Sequence, residues 1–366
     1  MKTKVLIGFM DNGKAGGLDK YILSLLSVLD MEKYEVTLLT KQVDAEILSD
    51  LETRGVSTFS LSSAKHPIKQ FNEMKKLMTE KKIDVAYFNM STSILGIGII
   101  AAKYAGVKQR IVHSHSSGCD SESKMKRMIM TFLHTIFKRI YFCNATTFVA
   151  CSEKAGQWMY TSKMIQSPNY RVVHNTVCFE KFQFDKEIRL KMRQELNLEN
   201  EMLIVHVANF TYPKNHEFLI NVFSSMLKEN HNYKLILIGS GVNEQSIRNQ
   251  VCELGLQNHV IFTGLVNNVR DYLQAADIFV LPSRFEGYPI SAVEAQVNGL
   301  TCVLSDCITE EVQLTSNCYR LPLKEEQWKE FLLNVSIHSE RKTEMINHQV
   351  DNVSLGEHII QLWRVE

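Results

Sequence analysis

The sequence predicts an α/β protein made of two doubly wound, Rossmann-like domains in tandem. Three observations carry that prediction. Short apolar runs alternate with amphipathic runs of about ten residues or more, the rhythm restarts midway, and 366 residues is about twice the length of one domain.

Residues 4–9 read as a buried strand. Residues 18–29 read as a helix, with Leu18, Ile22, Leu25, Leu26 and Leu29 at helical spacing. Strands at 35–39, 57–61 and 85–89 then alternate with helices at 45–54 and 68–81. A helix at 94–105 and strands at 110–113, 148–150 and 170–173 close the first half. Residues 180–200 are charged and irregular around a helix at 186–196. The second half carries strands at 203–207, 234–238, 260–262, 278–281 and 302–304, with helices at 217–228, 246–254, 269–275 and 290–298 between them. A terminal helix is expected at 355–365. The expected division is 1–172 and 173–352, with 353–366 packing back on the first domain. Domains of this kind bind ligands where the carboxyl ends of their strands meet loops and helix N-termini, so the tandem predicts a site in a cleft between the two sheets.

Composition excludes several classes. The 41 Lys+Arg nearly balance the 40 Asp+Glu, for a net charge of +1, which is not the footprint of a nucleic-acid binder. A hydrophobic fraction of 45% excludes disorder as the main theme. The eight cysteines form no Cys-x-x-Cys pair, which reads as a reduced, cytoplasmic protein rather than a disulfide or zinc scaffold. The apolar start at 5–10 is broken by Asp11 with no cleavage site after it. The longest apolar run, 94–102, is under half of the ~20 residues a spanning helix needs.

The segment 124–142 is basic at both ends and apolar between. It fits a long core helix with basic caps, and it equally fits a peripheral helix on an anionic membrane surface.

The sharpest chemical signal runs from Pro282 to Glu294, directly after a buried strand and into a helix. Pro289 suits a helix start and Gly287 lets a ligand approach the backbone. The backbone N–H groups at this helix start favour an anion such as a sugar hydroxylate or phosphate. Glu286 and Glu294 can accept hydrogen bonds from hydroxyls.

This string, with two acidic residues in Glu286-Gly287-Tyr288-Pro289 … Glu294, resembles the signature of retaining GT-B glycosyltransferases of family 4 (glycosyl transferases group 1), and the likeness extends over nearly the whole chain. Gly16-Gly17 before a helix resembles the family's N-terminal glycine loop, and 172–177 the segment entering its interdomain linker. Asn209 with Lys214-Asn215 resembles its Gly-Arg … Lys-Asn motif; Gly239-Ser240-Gly241 and the strand ending at Gly264 match two further elements.

The resemblance implies roles. Glu294 would bind the ribose of a nucleotide sugar, and Glu286 would contact the donor sugar. Backbone from Gly287 through Tyr288 and Pro289 to Ile290 would hold sugar oxygens or phosphate. Lys214 would neutralise the diphosphate, and the Val266 region would pack near the base. The family pairs an Arg with that Lys, but here the position is Asn209, so Arg284 or another cation would have to substitute. His113 and His115, at a strand end in the first domain, are the two candidates for the family's histidine near the donor sugar, with His115 favoured. Gly16 and Gly17 would approach diphosphate or acceptor.

The implied activity is retaining, metal-independent transfer of a sugar from a nucleotide-diphosphate donor, most simply a UDP-sugar, to a glycan or lipid-linked acceptor in capsule or exopolysaccharide synthesis. No Asp-x-Asp lies at a strand end to hold a metal, and no cofactor is implied beyond the sugar nucleotide. The implied place is the cytoplasm or the inner face of the membrane. Two other readings stay open: a nucleotide-sugar epimerase of the same fold, and a non-catalytic nucleotide-sugar-binding partner of another transferase, which Asn209 motivates.

Overall fold

The computed structural model describes residues 2–11, 16–41, 43–63, 65–337, 341 and 351–363. The chain divides into two compact units, one of residues 1–176 with 351–366 and one of residues 177–350.

In the first unit β1 (Thr3–Met10), α1 (Gly17–Val28), β2 (Tyr34–Thr40), α2 (Ala45–Thr53), β3 (Ser57–Ser60), α3 (Pro67–Lys81) and β4 (Val85–Met90) open the winding. A 3₁₀ turn (Ser93–Leu95), α4 (Ile97–Tyr104), β5 (Gln109–Ser114), α5 (Lys124–Phe142), β6 (Thr147–Ala150), α6 (Glu153–Met159), α7 (Ser162–Ile165) and β7 (Tyr170–Val172) complete it. The strands form one parallel sheet in the order β3-β2-β1-β4-β5-β6-β7. The order reverses between β1 and β4. Both are buried on both faces, which is why they read as nearly continuous apolar runs.

The second unit contains α8 (Phe179–Phe182), α9 (Lys186–Glu195), β8 (Met202–Val207), a 3₁₀ turn (Tyr212–Lys214), α10 (His216–Leu227), β9 (Tyr233–Ile238), α11 (Glu244–Glu253) and β10 (Val260–Gly264). It continues through α12 (Val269–Ala275), β11 (Ile278–Leu281), α13 (Ile290–Val297), β12 (Thr301–Ser305), β13 (Cys318–Leu321) and α14 (Glu325–Asn334). Its parallel sheet runs β10-β9-β8-β11-β12-β13, with the reversal between β8 and β11. One core gathers Leu219, Phe223 and Met226 of α10, Leu235 and Leu237 of β9, and Trp328 of α14.

The charged α9 is ordered by a polar clamp. Buried Asp277 accepts from Arg189 (2.6 Å), Arg193 (3.2 Å) and the Leu203 backbone N–H (2.8 Å). Arg189 also donates to the carbonyls of Gln274, Ala275 and Ala276 at the end of α12, where a cation complements the helix dipole.

The last helix, α15 (Asn352–Leu362), returns to the first unit and packs on α1, with Gly356 against Val28. Positions 364–366 of the terminal segment lie outside the described residues.

Several elements depart from the alternation read in the sequence. The segment 94–105 is a 3₁₀ turn and a shorter α4, divided at Gly96. β13 and α14 extend the second sheet and its cover. β13 is a four-residue edge strand carrying Arg320, too short and polar to signal itself, whereas Trp328, Phe331 and Leu332 of α14 do carry helical spacing.

The core reading of 124–142 is overturned. Of the nineteen residues of α5 only His134 and Phe142 are buried. Ser123 caps its start through Oγ.

Candidate functional site

In the second unit the site residues gather where the strand order reverses, at the carboxyl ends of neighbouring β8 and β11, the place where a doubly wound sheet opens a crevice. The loop after β8 carries Tyr212, Pro213, Lys214 and Asn215, and the loop after β11 carries Pro282 to Glu286.

Four contacts staple the two loops. Asn215, in the left-handed conformation at the head of α10 (φ 58°), donates from Nδ2 to the Pro282 carbonyl at 3.1 Å. The Arg284 backbone N–H donates to the Pro213 carbonyl at 2.7 Å. The Arg284 guanidinium donates to the Tyr212 carbonyl at 2.7 Å and lies over the Tyr212 ring at 4.5 Å. Finally, Lys214 Nζ donates to Glu286 Oε1 at 2.5 Å, with side-chain exposures of 23% and 11%. Ser283 Oγ donates to the same carboxylate oxygen at 2.8 Å. Glu286 is thus fixed from both sides, with Lys214 set at the switch point.

Arg284 is therefore a brace of the Lys214 loop. That placement does not support its taking over the charge that the family's Arg would supply at Asn209. Asn209 lies on the loop 208–210, which rides on Gly239 and Gly241. A Cβ at either glycine would stand 2.2 Å from the Ala208 carbonyl oxygen or 2.5 Å from that of Phe210.

Pro289 caps α13, whose first residue is Ile290; Glu294, one turn further on, is buried. Tyr288 is buried too, its hydroxyl donating to the Glu311 carbonyl at 3.4 Å, so its ring belongs to the protein's interior while its backbone stays in the loop with Gly287. Val266 stands past the end of β10, two strands from β8.

In the first unit, strand alternation places Tyr87 and Asn89 of β4 beside His113 and His115 at the end of β5. Tyr87 Oη lies 2.5 Å from His113 Nδ1 and 2.6 Å from Tyr21 Oη. His113 has no exposed surface, and Trp363, just past α15, packs on Tyr87 with ring centroids 5.8 Å apart. His115 is half-buried, lies with its ring tilted against Tyr21 (centroids 4.5 Å apart) and donates from Nε2 to Asn89 Oδ1 at 2.9 Å. Of the two candidates, His113 has no exposed surface and His115 is half-buried.

Gly16 and Gly17 head α1, the helix that brings Tyr21 to both histidines. Gly16 has an ordinary extended backbone, and among the described residues an added Cβ at either glycine meets nothing closer than 3.8 Å.

Sequence reasoning gave no role to Ser283, Tyr21, Tyr87 or Asn89. For Ser283 and Asn89 the signal available was a polar group at the carboxyl end of a buried strand; Tyr21 on α1 and Tyr87 within β4 carried none.

Burial controls the histidines. It pushes His115 down to about 3, opposed in part by the Asn175 side chain, and His206 and His134 down to about 4. It also drives His113 and His216 well below the ordinary 6.5. Above pH 6.5 all five are neutral in both folded and unfolded chains. As pH falls below 6.5 the unfolded chain takes up protons that the folded one refuses. Stability should therefore drop as pH falls from 6.5 toward about 4. Urea midpoints at pH 7 and pH 5 check this; equal midpoints would refute it. Ordinary carboxylates titrate mostly below this window.

Residues 15–181 match the family described as Glycosyltransferase Family 4, and residues 188–335 the family described as Glycosyl transferases group 1. EpsF of Bacillus subtilis, carried under a provisional glycosyltransferase name, is 27% identical over 340 residues, covering 90% of this chain and 87% of that protein. The UDP-Gal:alpha-D-GlcNAc-diphosphoundecaprenol alpha-1,3-galactosyltransferase of Escherichia coli is 24% identical over 302 residues, covering 79% of this chain and 76% of that protein. Among solved structures, Anabaena HepE in complex with UDP and glucose aligns with a TM-score of 0.78 at 17% identity over 98% of both chains, a likeness of fold.

Proposed function

The chain belongs to the GT-B glycosyltransferases of family 4, and we propose from this that it moves a sugar from a UDP-sugar to a lipid-linked glycan, with retention at the anomeric carbon, during assembly of a capsule or exopolysaccharide at the inner face of the membrane. The observation that carries the reading is the Lys214–Glu286–Ser283 constellation at the reversal between β8 and β11.

In this reading Lys214 meets the diphosphate, where negative charge grows as the sugar departs, and a cation already in place needs no reorganisation at that moment. Glu286, fixed by Lys214 and Ser283, orients the donor sugar through its hydroxyls. Glu294 holds the ribose from α13. His115, neutral across the working range, offers a hydrogen-bond partner rather than a charge. The diphosphate is neutralised by Lys214 and helix N-termini without a metal ion, so turnover should survive EDTA. The donor and acceptor classes are drawn from the galactosyltransferase's name, which specifies UDP-Gal and a diphosphoundecaprenol acceptor.

The test is incubation with a panel of UDP- and GDP-sugars, with and without an undecaprenyl-diphosphate-linked sugar, the product's anomeric configuration being read by NMR. One UDP-sugar should be consumed, and its anomeric configuration kept in the product. An inverted product refutes retention. An isomerised donor without acceptor makes the protein an epimerase, and binding without turnover makes it an accessory protein.

A further inference from the structure

Among the described residues, helix α5 shows an apolar face to solvent. Met125, Met128, Ile129, Phe132, Ile136 and Ile140 are 38% to 66% exposed. At 3.6 residues per turn they fall within an arc of about 120° and form one continuous stripe. His134, buried, lies on the opposite side and is held there by Ser93 and the Trp158 carbonyl, so the rotation of the helix about its axis is fixed. A soluble surface ordinarily scatters such side chains singly; six in a row on one helix mark a contact surface.

The charges are arranged around the stripe. The helix carries five cations and no carboxylate. Lys124 and Lys126, both exposed, flank the stripe at its start on either side, and exposed Arg139 borders it near its end. The two cations on the inner side are used by the protein itself: Arg127 donates to the Ser121 and Glu122 carbonyls, and Lys138 to the Trp158 carbonyl. The outward-facing charge on α5 itself is therefore wholly positive.

We propose that α5 is an interfacial helix that docks the first unit on an anionic lipid bilayer, lying in the plane of the surface with its Met/Ile/Phe stripe among the acyl chains and Lys124, Lys126 and Arg139 at the phosphates. Charge separates this occupant from a second copy of the chain, whose own α5 would set cations against Lys124, Lys126 and Arg139. A bilayer needs no complementary shape, and its phosphates match the flanking cations. No described helix is long and apolar enough to cross a membrane, so contact through α5 is peripheral. The inference deepens the proposed transfer to a lipid-linked acceptor, and its test uses neither donor nor acceptor, so the two can fail separately.

The full chain is floated with vesicles of phosphatidylcholine alone and with vesicles that also contain phosphatidylglycerol. Wild type should bind the anionic vesicles, release with salt, and bind the neutral ones weakly. The double variant Ile129→Ser/Phe132→Ser and the charge variant Lys124→Glu/Lys126→Glu should each lose binding by about tenfold or more. All four positions are exposed, so circular dichroism melting should match wild type and separate lost binding from lost folding. Wild type that ignores anionic vesicles, or an apolar variant that binds them undiminished, overturns the proposal. So does a wild-type dimer in sedimentation that Ile129→Ser/Phe132→Ser makes monomeric without any vesicle binding, which would assign the stripe to a second copy.

Discussion

Lys214→Ala should lower kcat/KM for the sugar-nucleotide donor by about a hundred- to a thousandfold, the cost usual for removing one preorganised group that stabilises transition-state charge. The expectation rests on position. Lys214 is delivered to the reversal between β8 and β11 by the short turn Tyr212–Lys214, and its loop is tied to the next by Asn215 and Arg284. Asn209 supplies no charge, so no second charge at that position shares the loss at Lys214. A purely structural ion pair would behave differently. Its removal leaves Glu286 with the Ser283 hydroxyl, costing about 1–3 kcal/mol of stability. For a unit of this size that is a melting shift of roughly 2–4 °C per kcal/mol. Activity should therefore fall far more than stability. Lys214→Arg, which keeps the charge, should recover at least about tenfold of the lost rate. Steady-state kinetics on the three proteins decide it: Lys214→Ala within about twofold of wild type would remove Lys214 from the reaction.

Which parts of this arrangement could be read in advance follows from physics that is local or is not. Buried parallel strands such as β4, β8 and β11 are nearly continuous apolar runs, so their places were legible, and so were the turns that follow them. The motif from Pro282 to Glu294 and the lysine at 214 were legible as chemistry. Their pairing was not. Lys214 and Glu286 are 72 residues apart and meet only because β8 and β11 are neighbours, an adjacency created by the reversal in strand order. Alternation puts both His113 and His115 on one face, so the preference for His115 had no local pattern behind it. Only the tyrosines at 21 and 87 and Trp363 near the other end of the chain make one of them interior. For α5 the composition signalled an unusual helix, but which face stays uncovered depends on the neighbours at Ser93 and Trp158.

Gly239→Ala should destabilise the second unit by about 3–5 kcal/mol, combining backbone strain with a clash that no rotamer relieves. The residue sits at φ +143°, where L side chains are rarely found, and its new Cβ would stand 2.2 Å from the Ala208 carbonyl oxygen and 2.8 Å from the carbonyl carbon. Both are backbone atoms of the loop that leads to Lys214. That loop cannot retreat freely, because Ala208 N–H donates to Ile238, Phe210 N–H to Ser240 and Asn243 N–H to Phe210, at 2.9, 3.0 and 3.0 Å. Relief requires parting the ends of β8 and β9, which carries the loop before Lys214 with it. The melting point of the second unit should fall by about 10 °C, and the donor KM should rise. Gly255 is the control. It is also at positive φ, +69°, yet nothing lies within 4 Å of its Cβ direction. Gly255→Ala carries the conformational cost alone, on the order of 1–2 kcal/mol. If Gly239→Ala melts within about 2 °C of Gly255→Ala, the close approach of the two loops is not what requires glycine at 239, and the Lys214 loop is not held in register by it.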